Sequence, residues 1–305
     1  MTSLSTTRMV DPILTNVAIG YRNAKYVGDA LFPIIPVDKE QGKIPKWGTE
    51  SFRIYNTRRQ IRSKTNRVDF DPITVPYMLE EEALEVAIDD REYEESAGVL
   101  QLEMSRTRML TDNIRLKMEK DQADAAQNQA NYASGHTLAL SGTDKFNDDT
   151  SKPVDVIGDA RSTVRSKIGV YPNVLMLGVS SFEALKNHPA IIERIKYSQT
   201  GVVTAAILAE VFGVESVEVG ETVYASKDGV MQDVWGNVAI LAYVPPAGVR
   251  DIWTPAYGYT LRKKGRPMTT KYRDDTVKSN VVHVADVYGV QPTAMDAGFL
   301  IQNTV

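Results

Sequence analysis

The longest regular hydrophobic pattern in this chain is a narrow stripe between positions 99 and 132. The segment contains neither Gly nor Pro and is rich in residues that favour helix. Its apolar residues recur at helical spacing: Leu102, Met109, Leu110, Ile114, Met118, Ala125 and Ala126. A helix of about 30 residues spans about 45 Å. The pattern therefore predicts a long helix that lies across a surface as a strut.

Between 154 and 253, helical patterns alternate with short apolar runs that are typical of buried strands. Residues 173–178 and the segments VESVEV and NVAILAYVPP predict strands. A first helix is expected over 155–167, and a second is expected to open with a capping box at Ser180 and Glu183. Pro189 fits the start of a third helix, and Gly213 the end of a fourth over 204–212. Together these elements predict a compact α/β lobe.

The flanking regions have different patterns. Residues 1–40 contain X-Pro steps at Pro12, Pro33 and Pro36, and such steps favour extended backbone, so an arm is predicted. Residues 41–77 alternate in part but are polar in the middle, which predicts a long two-stranded hairpin without a core of its own. Strand-like sequence returns from 256 to 305. The fold class predicted is α+β.

The hairpin and the segment that follows it carry opposite charges. Five of the hairpin cations are candidate contact residues: Arg58, Arg59, Arg62, Lys64 and Arg67. The candidate acids that follow are Glu80, Glu81, Glu82, Glu85, Asp89 and Asp90. A basic block followed by an acidic block, in a chain that is nearly neutral overall, indicates a binding partner. These residues are the predicted interaction site.

Two other interpretations of these blocks are less favoured. The cations could follow a nucleic-acid backbone, but the acids downstream would repel phosphate and few aromatic residues stand among the cations. The acids could bind a hard cation, but they lack the calcium-loop pattern. A solvated or salt-bridged face is the favoured interpretation of the acids, and a protein-facing role is favoured for the cations.

Composition narrows the classes of function. The chain has 305 residues, a formal net charge of -4 and a pI near 5.6, which argues against nucleic acid or an anionic membrane as the main binding partner. It has no Cys, so disulfides and thiolate chemistry are excluded. No apolar run approaches the roughly 18–20 residues that span a bilayer. No secretion signal is recognised, so synthesis in the cytoplasm is expected.

No arrangement of residues points to catalysis. The three histidines, His136, His188 and His283, are scattered and form no zinc motif. We expect His188 to be a polar residue at a helix junction and His283 to be an exposed or half-buried strand residue. No nucleophile elbow or phosphate-binding loop is present. Neither an enzyme nor a cofactor is predicted.

Several phrases, taken in order, resemble the major capsid protein of tailed bacteriophages, which has the Hong Kong 97-type fold. The strongest match runs from Gly169, Pro172 and Asn173 through VLMLG to Ala184, Leu185, His188 and Pro189, and on through IIERIKYSQTG and LAEVFGVESVEVGETVY. WGNVAILAYVPP follows. Upstream, the match continues at Ala30, Leu31, Phe32, Pro33, Val37, Gly42 and Lys43; at the end it comprises residues 297–301, AGFLI. The resemblance covers nearly the whole chain.

The resemblance implies a set of domains. Residues 1–40 would be the N-terminal arm and 41–75 the extended loop. Residues 76–150 with 254–305 would form the peripheral domain, with a spine helix over 99–132. Residues 154–253 would form the axial domain, which meets its copies around a five- or sixfold centre. The basic loop and the acidic block would then be contacts between subunits.

The resemblance also implies a function and partners. Copies would form hexamers and pentamers of an icosahedral shell that encloses double-stranded DNA without sequence-specific binding, located in the virion and assembled in the host cytoplasm. A separate scaffolding protein and a portal are implied as partners, and a decoration protein is left open. An intersubunit crosslink through Lys64 is not predicted. The alternatives are an encapsulin-type shell around cargo enzymes and an α/β enzyme built on the 154–253 lobe.

Overall fold

The structure is a computed structural model, and it describes residues 9–10, 26–46, 54–67, 74–95, 99–196 and 203–305. Its helices are α1 (Asp90–Glu95), α2 (Val99–Gln127), α3 (Pro153–Ile168), α4 (Val179–Asn187), α5 (Pro189–Ile195) and α6 (Ala205–Phe212). Its strands are β1 (Met9–Val10), β2 (Ile34–Val37), β3 (Gln41–Pro45), β4 (Thr74–Met78), β5 (Glu80–Asp89), β6 (Thr137–Ala139), β7 (Val174–Gly178), β8 (Ser216–Gly220), β9 (Val223–Ala225), β10 (Met231–Asp233), β11 (Val238–Ala242), β12 (Gly258–Lys263), β13 (Met268–Asp274), β14 (Ser279–Pro292) and β15 (Gly298–Gln302).

Two large sheets organise the described residues. A five-stranded sheet has the order β6-β15-β11-β7-β8. A six-stranded sheet is built around the long strand β14, with β12 and β13 along one edge and β5 along the other. Two smaller pairs, β3 with β4 and β9 with β10, are hairpins. The mixture of helices and sheets confirms the predicted α+β class.

The five-stranded sheet separates two hydrophobic cores. Alternate residues of a strand point to opposite faces, so Leu175 and Leu177 pack among helices α3 to α6. On the other face, Met176 packs with Phe32 and with Ala126 of α2. Because both faces are covered, β7 and β11 are wholly apolar and wholly buried. The continuous apolar runs VLMLG and VAILA are therefore explained by burial on both faces of the sheet.

The long helix α2, called the spine helix below, was predicted over 99–132 and ends at Gln127. Asn128 then adopts extended backbone and its side chain accepts a hydrogen bond from the backbone N–H of Ala130, which starts the separate 3-10 turn Gln129–Asn131. An Asn side chain competes in this way with the helix for local donors. The predicted long helix is therefore present, but it ends at Gln127 rather than at residue 132.

The helix ends in the lobe follow the predicted signals with one exception. Gly213 has the left-handed conformation expected after α6, and Pro189 begins α5. The prediction of a capping box at Ser180 and Glu183 is wrong. Helix α4 begins at Val179, directly after β7, and no side chain caps it. Its N-cap is Gly178, where a Cβ would lie 1.9 Å from the carbonyl oxygen of Gly236, so no capping side chain fits.

The hairpin is shorter than predicted. Strands β3 and β4 pair from Gln41 with Met78 to Pro45 with Thr74. Residues 54–67 form no strand and turn at 60–63, where Arg62 has a positive φ of 69°. The middle of the predicted hairpin has no apolar face to pack against the subunit, and an isolated pair of strands is only marginally stable in water. The alternating residues Phe52, Val68, Phe70 and Ile73 lie outside the described residues.

The C-terminal strand departs from the predicted division of the chain. β15 was grouped with the peripheral domain, but it pairs with β11 of the lobe along five residues. β6, also grouped there, pairs with β15. The alternation of Phe299 and Ile301 toward one core and Leu300 toward the other fits this place in the sheet. The lobe therefore includes strands from both flanking regions.

Candidate interaction surfaces

The basic loop, residues 54–67, projects its predicted contact residues into solvent. Arg58, Arg59, Arg62, Lys64 and Arg67 are all exposed. Within the parts of the chain that the structure describes, none of the five forms an ion pair.

The loop is shaped by a few local hydrogen bonds. The Arg59 Nε donates to the Ser63 carbonyl oxygen at 2.7 Å, and the Asn66 side chain donates to the Asn56 carbonyl oxygen at 2.6 Å. Its apolar side chains are nearly bare: Ile54 is 97% exposed and Ile61 is 94% exposed. Burial of such side chains against a partner is favourable by about 25 cal/mol per Å² of apolar surface. The loop thus presents cations and two apolar residues together.

The acidic residues lie on β5 and at the start of α1, and most already have a partner within the subunit. Glu81 pairs with Arg266 at 3.5 Å, and Glu82 pairs with Lys117 at 3.7 Å. Glu85 accepts a hydrogen bond from the Tyr272 hydroxyl at 3.0 Å, and Asp89 accepts one from the backbone N–H of Arg91 at 2.9 Å. These contacts agree with the favoured interpretation of a salt-bridged face.

Asp90 is held most firmly. Both of its carboxylate oxygens accept hydrogen bonds from Arg273, at 2.5 and 2.7 Å. This bidentate contact lowers the pKa of Asp90. Glu80 differs from the others, because its side chain is exposed and forms no hydrogen bond or ion pair with any other residue that the structure describes, although its backbone is part of the β5–β14 ladder.

An acidic groove lies beside the spine helix and was not foreseen from the sequence. It has a volume of about 290 Å³ and is lined by residues of β4, β5, β14 and the spine helix. Its carboxylates are Glu80, Glu82, Asp121 and Asp124, and its cation is Lys117; its other lining residues are Met78, Ala125, Tyr288, Gly289 and Val290. Two of these four carboxylates, Glu80 and Glu82, belong to the acidic block that was identified from the sequence.

Glu119 of the spine helix joins three parts of the chain and was also missed. Its carboxylate accepts hydrogen bonds from the backbone N–H groups of Val27 and Gly28, at 3.1 and 2.8 Å, and from the Trp235 indole at 2.7 Å. Burial raises the pKa of Glu119, while these donors oppose the rise. The sequence feature that could have indicated Glu119 is its position directly after Met118, a residue of the apolar stripe.

The histidines have structural roles. His188 caps α5, because its Nδ1 accepts a hydrogen bond from the backbone N–H of Ala190, and its Nε2 lies 3.0 Å from the Asp148 carbonyl oxygen. His136 is buried with its Nδ1 2.8 Å from the Gly298 carbonyl oxygen. His283 is a half-buried strand residue, as expected. No group of three or more His, Asp or Glu side chains suited to a metal ion occurs among the described residues.

The helices that the structure describes include none with the length and apolar character needed to cross a membrane.

Comparison with known proteins identifies the family. The sequence matches the family model described as phage major capsid protein E over residues 31–284. The major capsid protein of Burkholderia phage BcepMu is 44% identical over 305 residues, which covers 99% of this chain and 98% of that protein. The crystal structure of a phage-related protein from Bordetella bronchiseptica RB50 superposes with a TM-score of 0.83 at 32% identity and covers 98% of each chain.

Distant structures share the fold. The capsid of cyanophage P-SCSP1u matches with a TM-score of 0.59 at 8% identity, over 99% of this chain and 92% of that one. An encapsulin from Synechococcus elongatus PCC 7942 matches with a TM-score of 0.55 at 12% identity, over 92% of this chain and 88% of that one. At such identities the likeness shows the Hong Kong 97-type fold alone. The family model and the BcepMu relative show more: this chain belongs to the phage major capsid protein family.

Proposed function

We propose that this chain is the subunit of an icosahedral phage head, in which copies form hexamers and pentamers around the double-stranded DNA genome. The observation that carries the proposal is the full-length similarity to a phage major capsid protein, together with a loop whose cations form no ion pair among the described residues and whose residues Ile54 and Ile61 are exposed. Head-to-tail contacts between copies generate closed rings when the rotation closes. The role is structural rather than catalytic.

We further propose that the basic loop contacts the acidic block of an adjacent subunit. Arg58, Arg59, Arg62, Lys64 and Arg67 would face Glu80, Glu81, Glu82, Glu85, Asp89 and Asp90 of the neighbour. The contacts that these acids make within the subunit are compatible with this, because an exposed ion pair contributes only about 0–1 kcal/mol and exchanges partners at low cost. Many weak contacts, repeated around a shell, add up through avidity.

Reversal of three loop charges tests this contact. The variant Arg58→Glu, Arg59→Glu, Arg67→Glu should yield folded subunits, by circular dichroism, that form no particles in negative-stain microscopy. The matched control Arg58→Lys, Arg59→Lys, Arg67→Lys keeps every charge and should assemble. Normal particles from the Glu variant, at both low and high salt, would refute the role of the loop charges.

The domain roles and the remaining partners belong to the same proposal. Residues 154–253 would meet their copies at the ring centres, with the spine helix in the peripheral domain. A separate scaffolding protein and a portal would take part in assembly in the host cytoplasm, a decoration protein remains an option, and DNA would be enclosed without sequence preference. The encapsulin alternative, which shares only the fold, predicts particles filled with an enzyme. Nuclease-protected DNA in particles from infected cells distinguishes the two.

A further inference from the structure

The hairpin of β9 and β10 has an inner face that packs on the spine helix. Alternate residues of a strand point to opposite faces, so Tyr224 and its register partner Gln232 share one face. The Tyr224 hydroxyl donates to the Gln232 side chain at 2.8 Å. The Lys120 ammonium of the spine helix lies 5.3 Å from the centre of the Tyr224 ring, within the range of a cation–π contact. This face is therefore occupied within the subunit.

The opposite face of the hairpin, called the outer face below, is apolar and exposed. In the register, Val223 is paired with Asp233. Ala225 is paired with Met231, so all four side chains lie on the face opposite to Tyr224. Val223 is 43% exposed and Met231 is 61% exposed. An exposed apolar patch with a polar rim is typical of an interaction site.

The outer face is held in place by contacts at both ends of the hairpin. At the base, the backbone N–H of Val234 donates to the Thr222 carbonyl oxygen at 2.9 Å, and the next residue, Trp235, is buried. At the turn, the backbone N–H of Ser226 donates to the Val230 carbonyl oxygen at 2.8 Å. A surface that is ordered before binding loses less entropy when a partner docks. The exposed side chains are therefore presented in a fixed arrangement.

The rim of the outer face is acidic. Residues 221–233 contain three acids, Glu221, Asp228 and Asp233, and one cation, Lys227. All four side chains are exposed. None of them forms an ion pair with any other residue that the structure describes. The hairpin therefore carries a surplus of negative charge beside its apolar face.

The combination of apolar face and acidic rim selects the class of partner. The acids would repel the phosphates of nucleic acid or of an anionic membrane. Two hairpins packed outer face to outer face would bring two acidic rims together, and like charges placed opposite each other oppose association. The partner that fits is a protein segment in which a large apolar side chain stands beside Lys or Arg.

We propose that the outer face docks a short basic and apolar segment of a separate protein, with the apolar side chain on Val223 and Met231 and the cation on Asp233. The inference goes beyond the proposed function, which concerns contacts between copies of this chain. The two strands have three residues each, so they offer much less than the about 800 Å² per partner of a standard interface. The surface therefore suits a short segment rather than a folded domain.

Binding of a short fluorescent peptide of alternating Leu and Lys to the full chain tests the site by fluorescence anisotropy. The variant Val223→Ser, Met231→Ser should bind this peptide about tenfold more weakly or worse, as expected when central apolar contacts are lost. The matched control Ile192→Ser, Val249→Ser changes two apolar residues outside the hairpin that are 47% and 57% exposed, and it should bind as the natural chain does. Equal affinity of the natural chain and the hairpin variant would overturn the inference and leave the shell function intact.

Disulfide formation locates the peptide and tests for a competing occupant, because the natural chain has no Cys. With a form of the peptide that carries one Cys, the variant Met231→Cys should form a mixed disulfide faster than the control Val249→Cys, whose position is similarly exposed. Equal rates would refute docking on the outer face. Without peptide, disulfide dimers of Met231→Cys that form faster than those of Val249→Cys would assign the face to a second copy and overturn the proposal of a separate protein.

Discussion

The two halves of the spine helix are held to the rest of the molecule in different ways. In the N-terminal half, Thr107 and Thr111 are buried, yet their hydroxyls donate to carbonyl oxygens of the same helix, at 2.8 and 2.7 Å. Leu110 and Ile114 add apolar contacts with Val282 and Val284 of β14. The polar contacts of this half include those of Glu103 with Lys271 and Tyr93, of Asp112 with the Tyr26 hydroxyl and of Arg106 with Glu92, and they are partly exposed.

The C-terminal half is fixed by directional hydrogen bonds. Glu119 binds the segment at Val27 and Gly28 and the Trp235 indole. Gln122 donates to Asp29 and Thr260, at 3.0 and 2.8 Å. Buried polar groups of this kind specify one arrangement, because each unmade hydrogen bond is costly. The comparison teaches that the C-terminal half of the spine helix is anchored by fully buried hydrogen bonds, whereas the N-terminal half combines apolar packing with partly exposed polar contacts.

Removal of the main anchor should have the largest effect. Glu119→Ala leaves two buried N–H donors, those of Gly28 and Trp235, and the partly buried N–H of Val27 without this acceptor, and each unsatisfied buried donor costs about 1–3 kcal/mol. We expect the free energy of unfolding of the free subunit to fall by about 3 kcal/mol or more, as measured by urea denaturation. A loss below about 1 kcal/mol would show that the C-terminal half is not anchored in this way.

The pH dependence of the same anchor is a finer test. Because burial raises the pKa of Glu119 above the ordinary value of a glutamate side chain, the folded state binds this proton more tightly than the unfolded state does. Its contribution to stability is therefore greatest at low pH and declines as the pH rises through the folded pKa. The stability of the natural chain relative to Glu119→Gln should increase as the pH falls from 7 toward 5. An unchanged difference in urea titrations at both pH values would contradict this.

The smallest effect is expected in the N-terminal half. Thr111→Val removes a hydroxyl that bonds only within its own helix, so no partner across the interface is left unsatisfied. We expect a change in unfolding free energy within about 0.5 kcal/mol, as for substitutions that break no special feature. The matched substitution in the anchored half is Gln122→Leu, which should cost clearly more. Equal losses in thermal unfolding of the two variants would remove the distinction between the halves.

Local signals in the sequence predicted most of the elements. Apolar spacing gave the spine helix, and the Pro189 and Gly213 signals gave the helix ends in the lobe. The failure at Ser180 and Glu183 has a tertiary cause, because the approach of the Gly236 carbonyl to Gly178 decides what fits at that cap. No local pattern contains that information. The pairing of β15 with β11 was missed for the same reason.

The candidate site was predictable only in part. Charge blocks identified the exposed cations from Arg58 to Arg67, and they included Glu80 and Glu82 of the groove. They did not reveal Asp121 and Asp124, which the fold brings beside β5 from a distant segment. Nor did they reveal that Asp90 is tied to Arg273, since pairing depends on strand register rather than on composition. The assignment of these residues to contacts between subunits stays a prediction.

The position of β15 has a consequence for biosynthesis. This strand lies between β6 and β11 in the five-stranded sheet, so the sheet has a gap until the ribosome has released Gln302. Contacts between residues so far apart in the chain form late, because loop closure costs entropy before they form. A nascent or prematurely terminated polypeptide that lacks this strand therefore has an incomplete lobe, with β6 separated from β11.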